Sequence, residues 1–345
     1  MNVLIVNNMA PFVWGGAEEL AVHLKRNLEL ADVSAEILRI PFQWEPTAGI
    51  TAQMLLCRRL ELTNVDRVIA LKFPAYLIRH HEKVIWCLHQ FRQAYDMFDP
   101  AAPDPAMVAN DAELLRAIAT ADAEAFGEAK AIFTNSPVTA DRLRRFNSID
   151  GQVLYPPVND PERFGGGEAE GYIFAGGRVN SMKRQHLLLE ALAFTPPSVR
   201  LVIAGPPEGA STADDLAARA EELGVADRVT LDLRLLDRDE LAEWVNGASA
   251  CAYLPRDEDS LGYVAMEAAT AGKALITTAD AGGVLGLVDP GVTGWVTEPS
   301  PEALAEAMAA SAADPRATRR RGLAARERWN AFDITWPRTV ERLLA

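Results

Sequence analysis

The sequence predicts an α/β protein made of two consecutive halves, each with its own parallel sheet. Short apolar, β-branched runs alternate with helical stretches along the whole chain, the rhythm of strand–helix–strand units. The 345 residues exceed one small core and suit two α/β domains of about 160–180 residues each. A proline-rich junction, Tyr155-Pro156-Pro157-Val158, lies between the halves.

The first strand is 2–7, Asn-Val-Leu-Ile-Val-Asn, an apolar run with polar ends that leads into a turn at Pro11 and lacks the charged start of a leader peptide. Runs rich in Val, Ile and Leu follow at 35–40, 67–71, 83–88, 131–134 and 152–155, with helical stretches between most of them. The second half repeats the pattern at 172–175, 200–204, 228–233, 250–254, 273–278 and 294–297. Asp237 and Asp239 read as the opening of a helix that continues from Glu240.

Two strand-to-helix junctions of the second half carry the chemistry. Residues 171–190 read as a buried strand, a glycine turn and a helix with Leu187, Leu188 and Leu192 on one face. The turn therefore lies at a strand's carboxyl end, where open α/β sheets bind ligands and helix N-termini attract anions. Arg178 and Lys183 flank it, a guanidinium fork and a flexible ammonium that can hold the two phosphates of a diphosphate. Residues 252–278 read as strand, acidic loop, helix, glycine stop and strand. Asp259 and Glu267 lie eight positions apart, about 12 Å along the axis if the spacing is helical, which suits the two ends of an extended ligand. The N–H groups near Leu261 and Gly262 then face phosphates between them. Glu267 sits in a helix apolar nearly all round, which argues against a merely solvated residue.

In these motifs the chain resembles the retaining glycosyltransferases of family four. The resemblance implies GT-B architecture, two Rossmann-like domains whose parallel sheets face each other across a deep cleft, and nucleotide-sugar donors used without a metal or other cofactor. The family's Glu-x7-Glu pattern falls on Asp259 and Glu267, with the first acid shortened by one methylene. Its diphosphate-binding Arg and Lys fall on Arg178 and Lys183, and its Gly-Gly-x-Glu loop on Gly15, Gly16 and Glu18. Its first-domain histidine, which contacts the donor sugar, falls on His89. Two positions depart from the pattern: Gly286 stands where the family has an acid, and Arg234 where it often has glycine. The implied domains are 1–160 plus 328–345, mainly acceptor-binding, and 161–327, donor-binding. The C-terminal segment with Phe332 and Trp336 is expected to return to the first domain.

On this reading His89, Arg178, Lys183 and Asp259 are the expected catalytic residues, with Leu261, Gly262 and Glu267 completing the donor site. Gly15 and Gly16 either let backbone N–H groups approach phosphate or acceptor, or form a tight turn before a helix starting near Ala17. Glu18, Arg92, Tyr95 and Asp96 are the acceptor-binding candidates. For residues 89–99 the competing reading is a loop stapled to its own domain. The expected partners are a nucleotide sugar and a hydroxyl-bearing acceptor, a glycan, a lipid-linked saccharide or a small molecule. A hydrolase, epimerase or phosphorylase on the same fold, or a silent sugar-nucleotide binder, are the rival readings.

The net charge of −14, with 34 basic and 48 acidic residues, disfavours nucleic acid and broad anionic surfaces. Divided at residue 165, the halves carry 16 basic against 21 acidic residues and 18 against 27, so neither is basic. The clusters Arg142, Arg144, Arg145 and Arg319, Arg320, Arg321 read as solvated helix faces, with peripheral lipid contact as the alternative. No apolar stretch is long enough to span a bilayer, so a soluble, cytoplasmic protein is expected. Cys57, Cys87 and Cys251 read as buried free thiols, and His80-His81 as a surface turn. Asp257-x-Asp259 and Asp237-x-Asp239 spell a metal motif by chance, because Arg178 and Lys183 can neutralise a diphosphate; no metal is expected.

Overall fold

A computed structural model describes residues 1–97 and 111–345. The chain divides into two units, Met1–Pro157 with Ile334–Ala345, and Val158–Asp333. In the first unit the elements run β1 (Asn2–Met9), α1 (Gly16–Leu30), β2 (Ser34–Pro41), α2 (Ile50–Arg59), β3 (Arg67–Ala70), β4 (Lys83–Cys87), α3 (Ala112–Gly127), β5 (Ala131–Thr134), α4 (Pro137–Asn147) and β6 (Gln152–Val153). The sheet order is β2-β1-β3-β4-β5-β6, all parallel, with Val3 to Val6 of β1 opposite Arg67 to Ala70 of β3.

Alternation along β4 sends Val84 and Trp86 to one apolar cluster and Ile85 and Cys87 to another, so both faces of this sheet are covered. The C-terminal helix α11 (Trp336–Leu344) contributes Trp336, Val340 and Leu343 to the cluster that holds Leu24 and Leu28 of α1. Their spacing of four and three is one helix face, and burying each stabilises the unit by roughly 1.5–3 kcal/mol. Trp336 thus returns to the first unit, whereas Phe332 stays in the second, edge-on to Trp329. The return comes at Ile334 rather than near 328 because α10 (Pro315–Ala331) is unbroken and seated on the second unit. At Gly322 of that helix an added Cβ would stand 2.1 Å from the carbonyl oxygen of Gly272.

The second unit contains β7 (Tyr172–Gly176), α5 (Gln185–Leu192), β8 (Arg200–Ala204), α6 (Ala210–Glu222), β9 (Val229–Asp232), α7 (Arg238–Gly247), β10 (Ala250–Ala252), α8 (Tyr263–Thr270), β11 (Ala274–Thr278), β12 (Gly294–Thr297) and α9 (Pro301–Ala313). Its strands are parallel in the order β12-β11-β10-β7-β8-β9. Asp237 caps α7 in a capping box with Glu240, and Asp239 pairs with Arg163, so both acids of that Asp-x-Asp are used locally.

Each strand order reverses once, between β1 and β3 in the first sheet and between β7 and β10 in the second. At such a point the flanking loops part and open a crevice at the strands' carboxyl ends. No helix among the described residues is long and apolar enough to cross a membrane. The three cysteines are free and buried.

Candidate functional site

The second unit's crevice lies between the loops after β7 and β10. The first loop carries Arg178 and Lys183; the second runs from Tyr253 to Gly262 and carries Asp259. Lys183 donates from Nζ to Tyr253 Oη at 2.8 Å and to Glu258 Oε2 at 2.5 Å. Burial opposes the charge on Lys183, but Tyr253 and Glu258 outweigh it and hold the ammonium above its ordinary range. The backbone of the acidic loop is stitched to the turn after β11, with Glu258 N donating to Ala281 O and Gly283 N to Glu258 O. A Cβ at Gly283 would meet Ser260 O at 2.4 Å, so only glycine lets the two segments approach this closely.

Arg184, the residue before α5, holds φ at +53, a left-handed conformation uncommon for a long side chain. Its guanidinium, buried, explains how that backbone is held. It donates at 2.8 Å each to the carbonyls of Leu254 and Pro255, to Thr278 Oγ1 and to both oxygens of Asp280. That bond to Arg184 keeps the Asp280 carboxyl below its ordinary range. One buried cation therefore ties the loop bearing Lys183 to the ends of β10 and β11.

Asp259 precedes the helix as expected, but the eight positions from it to Glu267 are not helical throughout, so the figure of about 12 Å for a fully helical spacing does not apply. Helix α8 begins at Tyr263 with Gly262 at its N-cap, φ +79, so Asp259 lies in the loop and not in the helix. Gly262 is required there, because a Cβ would stand 2.3 Å from the Tyr253 ring. Asp259 is 5% exposed and Glu267 2%, and Leu261 is buried as well. Glu267 accepts from Arg238 Nη1 of α7 at 2.5 Å, while Arg238 Nη2 donates to Asn159 O at 2.6 Å. Of the two departures from the family pattern, Arg234 pairs with Asp232 and Glu240. Gly286 has room for a Cβ, which among the described residues would meet only Leu261, at an ordinary 3.6 Å.

In the first unit the crevice between β1 and β3 holds Gly15, Gly16 and Glu18. Helix α1 starts at Gly16, and Gly15, at φ −160, is extended backbone whose carbonyl accepts from Glu18 and Glu19. The helix thus begins near Ala17 as expected, and Gly15 in extended backbone does not form the tight turn. Glu18 is buried and pairs with Lys72 Nζ at 3.1 Å, where β3 ends. Asn7 of β1 is fully buried, and its Oδ1 has no hydrogen-bond partner among the described residues. His89 follows β4, and its Nδ1 donates to Gln90 O at 2.8 Å, which fixes the orientation of the ring.

The remaining first-unit candidates follow the stapled-loop reading. Tyr95 Oη donates to Asp122 Oδ2 at 2.7 Å, and Tyr76 Oη to Asp122 Oδ1 at 3.0 Å. Burial pushes the Asp122 carboxyl up to about 7 against the lowering effect of both tyrosines. Asp96 is held by Arg92 at 2.6 Å and by Arg142 at 3.2 Å. Arg142 is thus buried rather than on a solvated face; Arg144 is exposed as expected, and Arg321 stacks over Trp295. Phe98 and Asp99 lie outside the described residues. His81 is exposed, but His80 is half-buried, its ring bonded to Val65 O and to the Glu82 N–H.

Residues 159–328 match the family model for glycosyl transferases group 1. By this match the second unit is a domain of the group 1 glycosyltransferase family. A D-inositol 3-phosphate glycosyltransferase of Mycolicibacterium gilvum is 37% identical over 172 residues, 49% of this chain and 37% of its own length. The chain spans less than half the length of the curated group 1 relatives it matches. Sucrose-phosphate synthase from Thermosynechococcus elongatus superposes with a TM-score of 0.77 over 99% of this chain and 97% of its own, at 19% identity. HepE of Anabaena, solved with UDP and glucose, gives 0.72 over 100% and 98%, at 16% identity. The fold these group 1 structures share with the chain is GT-B.

Lys72, Arg184, Arg238, Glu258 and Asp122 were not singled out in the sequence. Lys72, Arg238, Glu258 and Asp122 each bind a predicted residue from far along the chain, and Arg184, though next to Lys183, finds its own partners 70 or more positions away, so no local spacing marks them.

Proposed function

We propose that the chain is a retaining glycosyltransferase that moves a hexosyl group from a nucleoside-diphosphate sugar to an acceptor hydroxyl without a metal. The observation that supports this reading is that Arg178 and Lys183 lie on the loop after β7 and buried Asp259 on the loop after β10, the two strands of the switch point, with buried Glu267 on the helix that follows. Two cations suit the diphosphate, and two carboxylates suit hydroxyls of sugar and ribose. The first N–H groups of α8, which a helix leaves without internal partners, add donors for phosphate. The leaving diphosphate is stabilised by Arg178 and Lys183 and takes the acceptor proton as the hydroxyl attacks from the same face.

In the first unit, Glu18 with Lys72, Asn7 Oδ1 and the His89 ring supply polar contacts for acceptor and sugar. HepE's UDP and glucose make UDP-glucose the first donor to try, and the name of the Mycolicibacterium relative makes inositol 3-phosphate the first acceptor. The test is release of nucleoside diphosphate in EDTA, with and without acceptor, and the anomeric configuration of the product by NMR. Acceptor-dependent release with retention supports the reading. Rapid release without acceptor indicates a hydrolase instead.

A further inference from the structure

Lys183, assigned above to the donor diphosphate, is bound in this structure by a carboxylate of its own unit. Glu258 Oε2 is 2.5 Å from its Nζ, and Tyr253 Oη is 2.8 Å away on the ring that the ammonium overlies at 5.1 Å from the centroid. An ammonium has three N–H donors, and these partners take two. One N–H is left, so a phosphate that takes more than one donor of Lys183 meets Glu258 as a competitor.

We propose that Glu258 competes with the donor's phosphate for Lys183 and thereby sets donor affinity, a role that rests on the donor reading above. The backbone of Glu258 is fixed to Ala281 and Gly283, so its side chain is delivered to Lys183 by the fold and not by the ligand. The side chains of Glu258 and Lys183 are 28% and 22% exposed, so the carboxylate can turn into water when phosphate takes its place. The exchange is favoured because a diphosphate brings more than one negative charge, shared with Arg178, whereas Glu258 brings one. Tyr253 keeps its bond throughout and holds Lys183 in line. The competition costs affinity for every ligand, and most for anions too weakly charged to displace a carboxylate, so Glu258 selects diphosphates over single phosphates.

The test is calorimetric titration of UDP, GDP, ADP and dTDP into the wild type, Glu258→Gln, Lys183→Ala and the double variant, with matched thermal unfolding. The diphosphate that binds is expected to bind Glu258→Gln about fivefold tighter than the wild type, the scale of one partly exposed ion pair. Against Lys183→Ala, the Glu258→Gln change is expected to shift affinity less than about twofold. Weaker binding by Glu258→Gln would overturn the proposal in favour of a Glu258 that orients Lys183. A gain undiminished without Lys183 would overturn it in favour of general charge repulsion. Failure of all four proteins to bind any of the diphosphates would instead overturn the donor reading, and this proposal with it.

Discussion

Arg238 Nη1 lies 2.5 Å from Glu267 Oε1, joining helix α7 to the buried carboxylate of α8, while the same guanidinium covers the Phe164 ring at 4.9 Å. Glu267 is 2% exposed, so its orientation depends on a cation 29 positions earlier in the chain. Removing one partner of a buried pair leaves an uncompensated charge, which costs about 3 kcal/mol. Arg238→Met is therefore expected to lower the melting temperature by roughly 6–12 °C and to weaken donor binding, with Arg238→Lys restoring part of both. Differential scanning calorimetry and donor titration check this. Unchanged melting and unchanged binding would show that Glu267 is positioned without Arg238.

Arg184 is expected to act on donor use through Lys183. Arg184→Ala keeps a side chain at φ +53 and loses the bonds to Leu254, Pro255, Thr278 and Asp280; Arg184→Gly loses the same bonds but relieves the backbone by about 1 kcal/mol. Both variants should melt lower, Ala more than Gly, and raise the donor KM more than they lower kcat. Equal melting of the two variants would remove backbone strain from the explanation.

The Asp122 carboxyl gives a pH signature. Its folded pKa, about 7, lies above the ordinary value of 3.8, so the folded state holds a proton that the unfolded state has lost between pH 4 and 7. The stabilisation is complete below pH 4 and is lost as pH rises through 7, up to about 4 kcal/mol in all. Asp122→Asn, which cannot ionise, should remove this decline, and the difference in denaturant midpoint between variant and wild type should grow from pH 5 to pH 8. A parallel pair of curves would contradict the assignment.

The Gly286 position has space that the family fills with an acid. Gly286→Glu is expected to fold with a melting temperature within about 2 °C of the wild type, because among the described residues the added Cβ meets only Leu261, at 3.6 Å. A fall of 10 °C would show that the glycine is sterically required.

Much of this arrangement was legible in the sequence, for reasons that differ by residue. The strands at 83–88 and 172–175 are apolar runs bounded by polar or glycine residues, and so are the observed β4 and β7. Arg178, Lys183 and Asp259 sit on loops that follow such strands, so their place at the carboxyl edge follows from strand-to-helix order alone. What lay hidden is pairing at long range: Lys183 with Glu258, Arg238 with Glu267, Tyr95 with Asp122, Glu18 with Lys72. None shares a helix face or a strand register, and a surface charge and a buried partner look alike in sequence, as Arg142 shows. The N-cap of α8 was also hidden, because what reserves that place for Gly262 is the close approach of the Tyr253 ring, a contact that spacing does not reveal.

The measurement that bears most directly on the donor site is calorimetric titration of UDP-, GDP-, ADP- and dTDP-sugars in EDTA into the wild type, Arg178→Ala and Lys183→Ala. The donor reading predicts one selective donor class, bound by the wild type and weakened by about 1.5–3 kcal/mol in each variant, the worth of one charge-assisted hydrogen bond. Binding that is undiminished in both variants, or that requires an added divalent cation, would contradict it.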